Sequence, residues 1–150
     1  MPHSITRILI HAIFSTKNRE PMIDRDLRPR RWAYLGGIVG ESGGSAITIG
    51  GTADHVHLLF AIPPSASVAD IMRLIKTNSS RWVHEEFSTR RSFAWQTGYA
   101  AFSVSACNAE RVKRYIADQE EHHRKTTFQE EYVALLKRHG VAYDDRYLWD

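Results

Sequence analysis

Apolar and polar positions change period several times along the chain, and each change marks an element. From Thr6 to Ser15, TRILIHAIFS is apolar and β-branched almost throughout, which predicts a buried strand. IDRDLRPRRWAYLGGIVGESGG then predicts a helix, with Asp24 placed as its N-cap, Pro29 in or kinking the first turn, and Gly43-Gly44 ending it. In SAITIGGTADHVHLLFAIPP, two extended runs, Ala46 to Gly50 and His55 to Ile62, flank a tight turn over Gly51 to Asp54, the pattern of a hairpin. Val68, Ile71, Leu74, Ile75, Trp82 and Val83 recur at helical spacing after a capping Ser67. Strand character returns from Tyr99 to Ser105. A helix follows over NAERVKRYIADQEEHHRK, with Asn108 or Cys107 at its cap, and a last short helix over TTFQEEYVALLKRHG ends at Gly140.

The order β-α-β-β-α-β followed by helices is that of an α+β, ferredoxin-like (RRM-like) fold. It has an antiparallel sheet with helices on one face, plus C-terminal helices that include the one carrying Tyr115. That arrangement leaves the other sheet face open to a partner. A length of 150 residues with no repeat or low-complexity segment predicts one domain over 1–150.

Composition narrows the class. With 43% hydrophobic and 25% charged residues the chain is globular, and its size permits a core without staples. Cys107 is alone, so no intramolecular disulfide forms; no CxxC pair suggests zinc, and a reducing cytoplasm is expected. MPHSITRILIHAIF is too short and interrupted for a membrane span and lacks the cleavage region of a signal peptide. The net charge of +3, the pI near 9.2 and the clusters RDLRPRR, STRR, RVKR and HHRK permit a polyanionic partner. Aromatics beside the clusters (Trp32, Trp82, Phe93, Trp95, Tyr115) fit single-stranded nucleic acid, which combines phosphate contacts with base stacking.

The departure from this pattern is TADHVHLLFAIP, where two imidazoles interrupt an apolar strand. Alternation places His55 and His57 on one face and Val56 and Leu58 on the other. Two imidazoles so placed can chelate a divalent ion or bind a phosphate, given further groups from elsewhere. RYIADQEEHH supplies candidates: Tyr115 and Gln119 are four apart on one helical face, with Arg111 a turn before and His122 nearly a turn after, while Ala109, Val112 and Ile116 face another way. Any surface helix shows a polar and an apolar stripe; a tyrosine and an amide positioned to meet a histidine pair is the added feature.

ADHVHLLF, WQTGYAAFSVS, RYIADQEEHHRKTTFQEEY and the terminal RYLWD resemble the single-tyrosine HUH transposases of small insertion sequences and their relatives, the REP-associated tyrosine transposases. The resemblance runs over nearly the whole chain. It implies that His55 and His57 are the metal-binding pair, Gln119 completes the metal site and Tyr115 is the nucleophile, with Mg²⁺ or Mn²⁺ as the ion. It further implies a transposase that cuts and rejoins single-stranded DNA, often a hairpin at an element end, through a 5′-phosphotyrosine and a free 3′-OH. A homodimer is implied too, in which the tyrosine helix can serve the partner's histidines in trans. Arg73, Lys76, Arg81, Arg90, Arg91 and Arg111 are candidates for phosphate contacts.

Two other readings compete: a non-catalytic RRM-like module binding single-stranded nucleic acid, and a phosphoesterase using the histidines with water. His11, on the first strand, can neighbour the site but is expected to be a hydrogen-bonded core or edge histidine, and His84, His122, His123 and His139 are expected to be exposed on helices. Trp95 and Tyr99 are expected to pack rather than touch DNA.

Overall fold

Two buried stripes on each central strand explain why the sheet is covered twice. The computed structural model describes residues 4–87 and 92–149. Its four strands, β1 (Ile8–Ser15), β2 (Ser45–Gly51), β3 (His55–Ile62) and β4 (Ala100–Val104), form one antiparallel sheet in the order β2-β3-β1-β4. In β1, Ile10, Ala12 and Phe14 face one way, and with Val56, Leu58, Phe60 and Ile62 of β3 they pack against α1 (Arg28–Glu41) and α2 (Val68–Glu86). The alternate positions Leu9, His11, Ile13, His55, His57 and Leu59 face the other way and are buried too.

The second face is not open. It is covered by α3 (Ala109–Ala117), α4 (Gln119–His122) and α5 (Phe128–Arg138), because their apolar positions need burial as much as the sheet does. Ile116 of α3 packs on Leu9 and Leu59, and Phe128, Tyr132, Leu135 and Leu136 of α5 close over Ile13, Ala100 and Phe102.

The boundaries follow local chemistry. Ser67 Oγ accepts from the Asp70 amide to start α2, and Thr127 and Glu130 form a reciprocal capping box on α5. Asp24 precedes a 3-10 turn over Arg25–Leu27 without a side-chain cap, and α1 begins at Arg28 with Pro29 in its first turn. Asn108 likewise makes no side-chain cap, following a 3-10 turn at Ala106–Asn108. The helix expected to run on through HHRK breaks at Asp118 (φ −95°, ψ 20°). That break turns Gln119 fully inward, and the buried hydrogen bonds gained by its amide outweigh an unbroken helix. Trp95 does pack: it lies edge-on to Phe14 and Phe93 and donates from Nε1 to Ser79 Oγ at 2.9 Å. Gln96 accepts from the Ser15 amide at 2.8 Å, tying the segment before β4 to the end of β1. No helix among the described residues is long and apolar enough to cross a membrane.

Gly50 sets how closely α3 approaches the sheet: a Cβ there would lie 2.6 Å from the carbonyl oxygen of Ile116 and 3.0 Å from its Cγ2. A backbone atom cannot swing aside, so Gly50→Ala must lift α3 and is expected to destabilise the fold by about 1–3 kcal/mol. Gly37→Ala, on α1 with nothing within 4 Å of the new methyl, should be neutral or slightly stabilising. Urea midpoints of the two variants check the contrast.

Candidate active site

At the centre of the second face, side chains far apart in sequence converge on one carboxylate. Glu131, on the first turn of α5, is 2% exposed. Its Oε1 accepts from His57 Nε2 and from His123 Nε2, each at 3.0 Å. Its Oε2 accepts from Gln119 Nε2 at 3.1 Å and from the Tyr115 hydroxyl. His55 Nε2 points into the same space, 2.9 Å from Gln119 Oε1 and 3.5 Å from Glu131 Oε1, and His122 Nε2 lies 3.5 Å from Glu131 Oε2. His55, His57 and Gln119 have no solvent exposure.

The outer ring nitrogens are anchored as well. His55 Nδ1 donates to Asp54 Oδ1 at 2.8 Å, with Thr52 Oγ1 at 3.0 Å, and His57 Nδ1 accepts from His11 Nε2 at 2.8 Å. Fixing Nδ1 aims each Nε2 inward, the orientation that outer hydrogen bonds give to metal-binding histidines.

Electrostatics follow from this packing. Burial would raise Glu131, but hydrogen bonds from His123 and His57 prevail and hold it ionised far below the usual carboxylate range. Burial pushes His57 down to about 4 against the pull of Glu131, and His11 down to about 3, helped by His57 beside it. His123 loses to burial but gains more from Glu131 and is raised. Tyr115 is pushed well above the ordinary phenol range, first by burial and then by the Glu131 carboxylate, so it stands protonated with its hydrogen directed at Glu131.

Three imidazole nitrogens and two oxygens thus surround one point, and the donor atoms of His55, His57 and Glu131 lie within 4.8 Å of one another, a spacing that one divalent cation can bridge. The structure therefore brings together all four residues expected from the sequence, His55, His57, Tyr115 and Gln119, within a single chain. It adds Glu131, His123 and His11. His123, expected to be exposed, is partly buried in the cluster, and His122 is half-buried at its rim; His84 and His139 are exposed. Glu131 had a legible signal: with Phe128, Tyr132 and Leu135 it lies on the apolar stripe of an amphipathic helix, where an acid is out of place.

The basic candidates divide by location. Arg73, Lys76 and Arg81 lie on α2, with the sheet between them and the histidines. Lys76 donates to the Thr97 and Gly98 carbonyls at 2.8 Å each, and burial lowers it to about 8; Arg73 sits 4.0 Å from Asp70 of its own helix. Arg90 and Arg91 lie outside the described residues. Arg111 lines a cleft that Tyr115 also lines.

The family described as Transposase IS200 like matches residues 4–119, which takes in the sheet, the histidine pair, Tyr115 and Gln119. The chain belongs to the IS200-like transposase family. A transposase for insertion sequence element IS200 from Salmonella typhimurium is 35% identical over 72 residues, 45% of this chain and 47% of that protein; the chain thus spans about half the length of the IS200 transposases it matches. The ISDra2 transposase TnpA of Deinococcus radiodurans is 24% identical over 114 residues, covering 73% and 81% of the two chains. Among solved structures, a transposase from Deinococcus radiodurans superposes with a TM-score of 0.66 at 21% identity, over 79% of this chain and 95% of its own. A REP-associated tyrosine transposase bound to a REP hairpin gives 0.60 at 12% identity, over 82% and 72%. These two likenesses show that the ferredoxin-like α+β fold of this IS200-like protein is that of transposases. The match ends at residue 119, so Glu131 and α5 lie beyond the segment it defines.

Acidification should destabilise the cation-free protein. His11 and His57 are neutral in the fold down to about 3 and 4 but protonate near 6.5 when unfolded, so below 6.5 the unfolded chain binds more protons and stability falls. His123, raised, works in the opposite direction by a smaller amount. In chelator, urea unfolding is expected to show a loss of about 2–3 kcal/mol from pH 7 to pH 5. Glu131 adds its own loss only below about pH 4.5, where the unfolded carboxylate takes up a proton.

Proposed function

We propose that this protein is a single-strand DNA transposase in which Tyr115 attacks a phosphodiester, giving a 5′-phosphotyrosine and a free 3′-OH. The observation that carries this reading is the convergence of a half-buried tyrosine, a histidine pair and an amide on one carboxylate, in a chain of the IS200-like transposase family. A non-catalytic binding module has no use for a phenol directed at a buried carboxylate, and a water-dependent phosphoesterase has none for a tyrosine at the centre of the site.

A divalent cation, Mg²⁺ or Mn²⁺, held by His55, His57, Gln119 and Glu131 with His123 beside them, would neutralise the phosphate oxygens and the leaving oxygen. The chain's own groups do the rest. Tyr115 supplies the attacking oxygen; at rest its hydroxyl faces Glu131 Oε2, and its proton leaves to water as the oxygen attacks, because Glu131 is held ionised. The Tyr115 O–P bond forms as the P–O3′ bond breaks, and the departing O3′ takes a proton to become a free hydroxyl. The phosphodiester is exchanged rather than hydrolysed, so a second 3′-OH can reverse the step and rejoin a different strand. Tyr115 lies beside the histidines of its own chain, which favours chemistry in cis. A homodimer would then serve to hold two DNA ends together, and hairpin single strands at element ends are the proposed substrate.

Incubating the protein with labelled hairpin single strands and Mg²⁺ or Mn²⁺, then denaturing, should leave a covalent protein-DNA adduct. Chelator, Tyr115→Phe and His57→Ala should each reduce it at least about 10³-fold. Free cleaved ends with no adduct from the wild-type protein would sink the proposal, and full activity in His57→Ala would remove the metal role.

A further inference from the structure

The cleft that Tyr115 and Arg111 line has a volume of about 340 Å³ and lies between β4, α3 and α5. That volume is at the small end of the ~300–1,000 Å³ range of ligand sites and suits one nucleotide rather than a length of chain. Arg111 of α3 and Arg138 of α5 line it, and neither guanidinium has a hydrogen-bond or ion-pair partner among the described residues. Arg138 is close enough to Tyr115 to bear on its ionisation. Ser103 and Asn108 add polar side chains along the wall. His139 provides a ring: one face is stacked on Phe102 at 4.1 Å and 14°, and Nδ1 is fixed 2.9 Å from the Leu135 carbonyl oxygen. Two unpaired guanidiniums and an immobilised ring are the elements that hold a phosphate and a nucleobase.

The other approach to the site is different in kind. A larger cavity, about 900 Å³, lies at the His123 end, where Arg19, Arg124 and Lys125 meet the start of α5. Helix α5 spans both: Phe128 lines the large cavity and Arg138 the small one, about 15 Å apart at 1.5 Å per residue, with Glu131 between them. In an in-line displacement the leaving oxygen departs opposite the attacking oxygen. The strand that leaves with a 3′-OH is therefore carried away from Tyr115, while the strand joined to Tyr115 must run past the tyrosine ring.

Resting on the transfer reaction above, we infer that the cleft between β4, α3 and α5 is the subsite for the first nucleotide of the tyrosine-linked strand. Arg111 and Arg138 hold its phosphates, His139 stacks against its base, and the departing strand occupies the large cavity. Arg111 and Arg138 are then positioning residues for the retained strand.

The test uses the full chain and a 5′-phosphorylated tetranucleotide, 5-iodo-dU followed by three dT, which needs no cleavage to bind. Irradiation should crosslink the iodouridine within residues 103–112 or 135–139, mapped by mass spectrometry. Removing the 5′-phosphate should weaken binding about tenfold. Arg138→Gln should lower the slope of log Kd against log salt by about 0.7, the share of one phosphate contact to a single strand. Crosslinks confined to residues 18–28 or 123–129, or an unchanged salt slope in Arg138→Gln, overturn the subsite. A Tyr115 adduct on hairpin DNA alongside either result leaves the transfer reaction standing without it; crosslinks in the cleft with no adduct from any hairpin do the reverse.

Discussion

A carboxylate buried to 2% exposure is the constraint around which the second sheet face is organised. An isolated buried anion costs several kcal/mol, which is recovered only if every lone pair finds a donor. Glu131 finds His57 on β3, Tyr115 on α3, Gln119 on α4 and His123 just beyond it, and His57 is steadied in turn by His11 on β1. Each donor needs its own element in place, so the carboxylate makes the positions of β1, β3, α3, α4 and α5 mutually dependent. The same atoms serve two states: the imidazole nitrogens that donate to Glu131 are those that would face a cation, so binding one would replace hydrogen bonds with coordination once those nitrogens give up their protons.

Sequence pattern revealed the first sheet face almost fully and the second only in part. Periodicity located the four strands and four helices, with α3 and α4 joined as one, because burial on one side leaves a regular trace, as in Ile10, Ala12 and Phe14 or Val68, Ile71 and Ile75. It placed His55 and His57 on a common face for the same reason. The break at Asp118 left no trace, since Gln119 turns inward to satisfy hydrogen bonds with residues 12 and 64 positions away, which no local pattern encodes. The ferredoxin-like unit alone leaves the second face open; the stripe Phe128, Tyr132, Leu135 and Leu136 needs something apolar to pack on and covers it.

The role of His123 and the partner of His11 escaped for different reasons. HHRK reads as a charged helix end, and only the docking of α5 gives His123 its partner. His11 lies in an apolar strand where a buried, hydrogen-bonded histidine was expected; that its partner is His57 depends on the β1–β3 register, which places Ile13 rather than His11 opposite His57 and leaves the two histidines diagonal neighbours.

The division of labour between the sheet faces has a consequence for folding. The face carrying α1 and α2 is held by apolar contacts that close within the first two thirds of the chain. The face carrying the chemistry closes only when α5 docks, because Glu131 arrives more than seventy residues after the histidines it meets. Until then β3 would present two histidines and α3 a tyrosine without the carboxylate that fixes them. Completion of the histidine-carboxylate cluster is therefore tied to the last helix, and the core between the sheet and the first two helices does not depend on it.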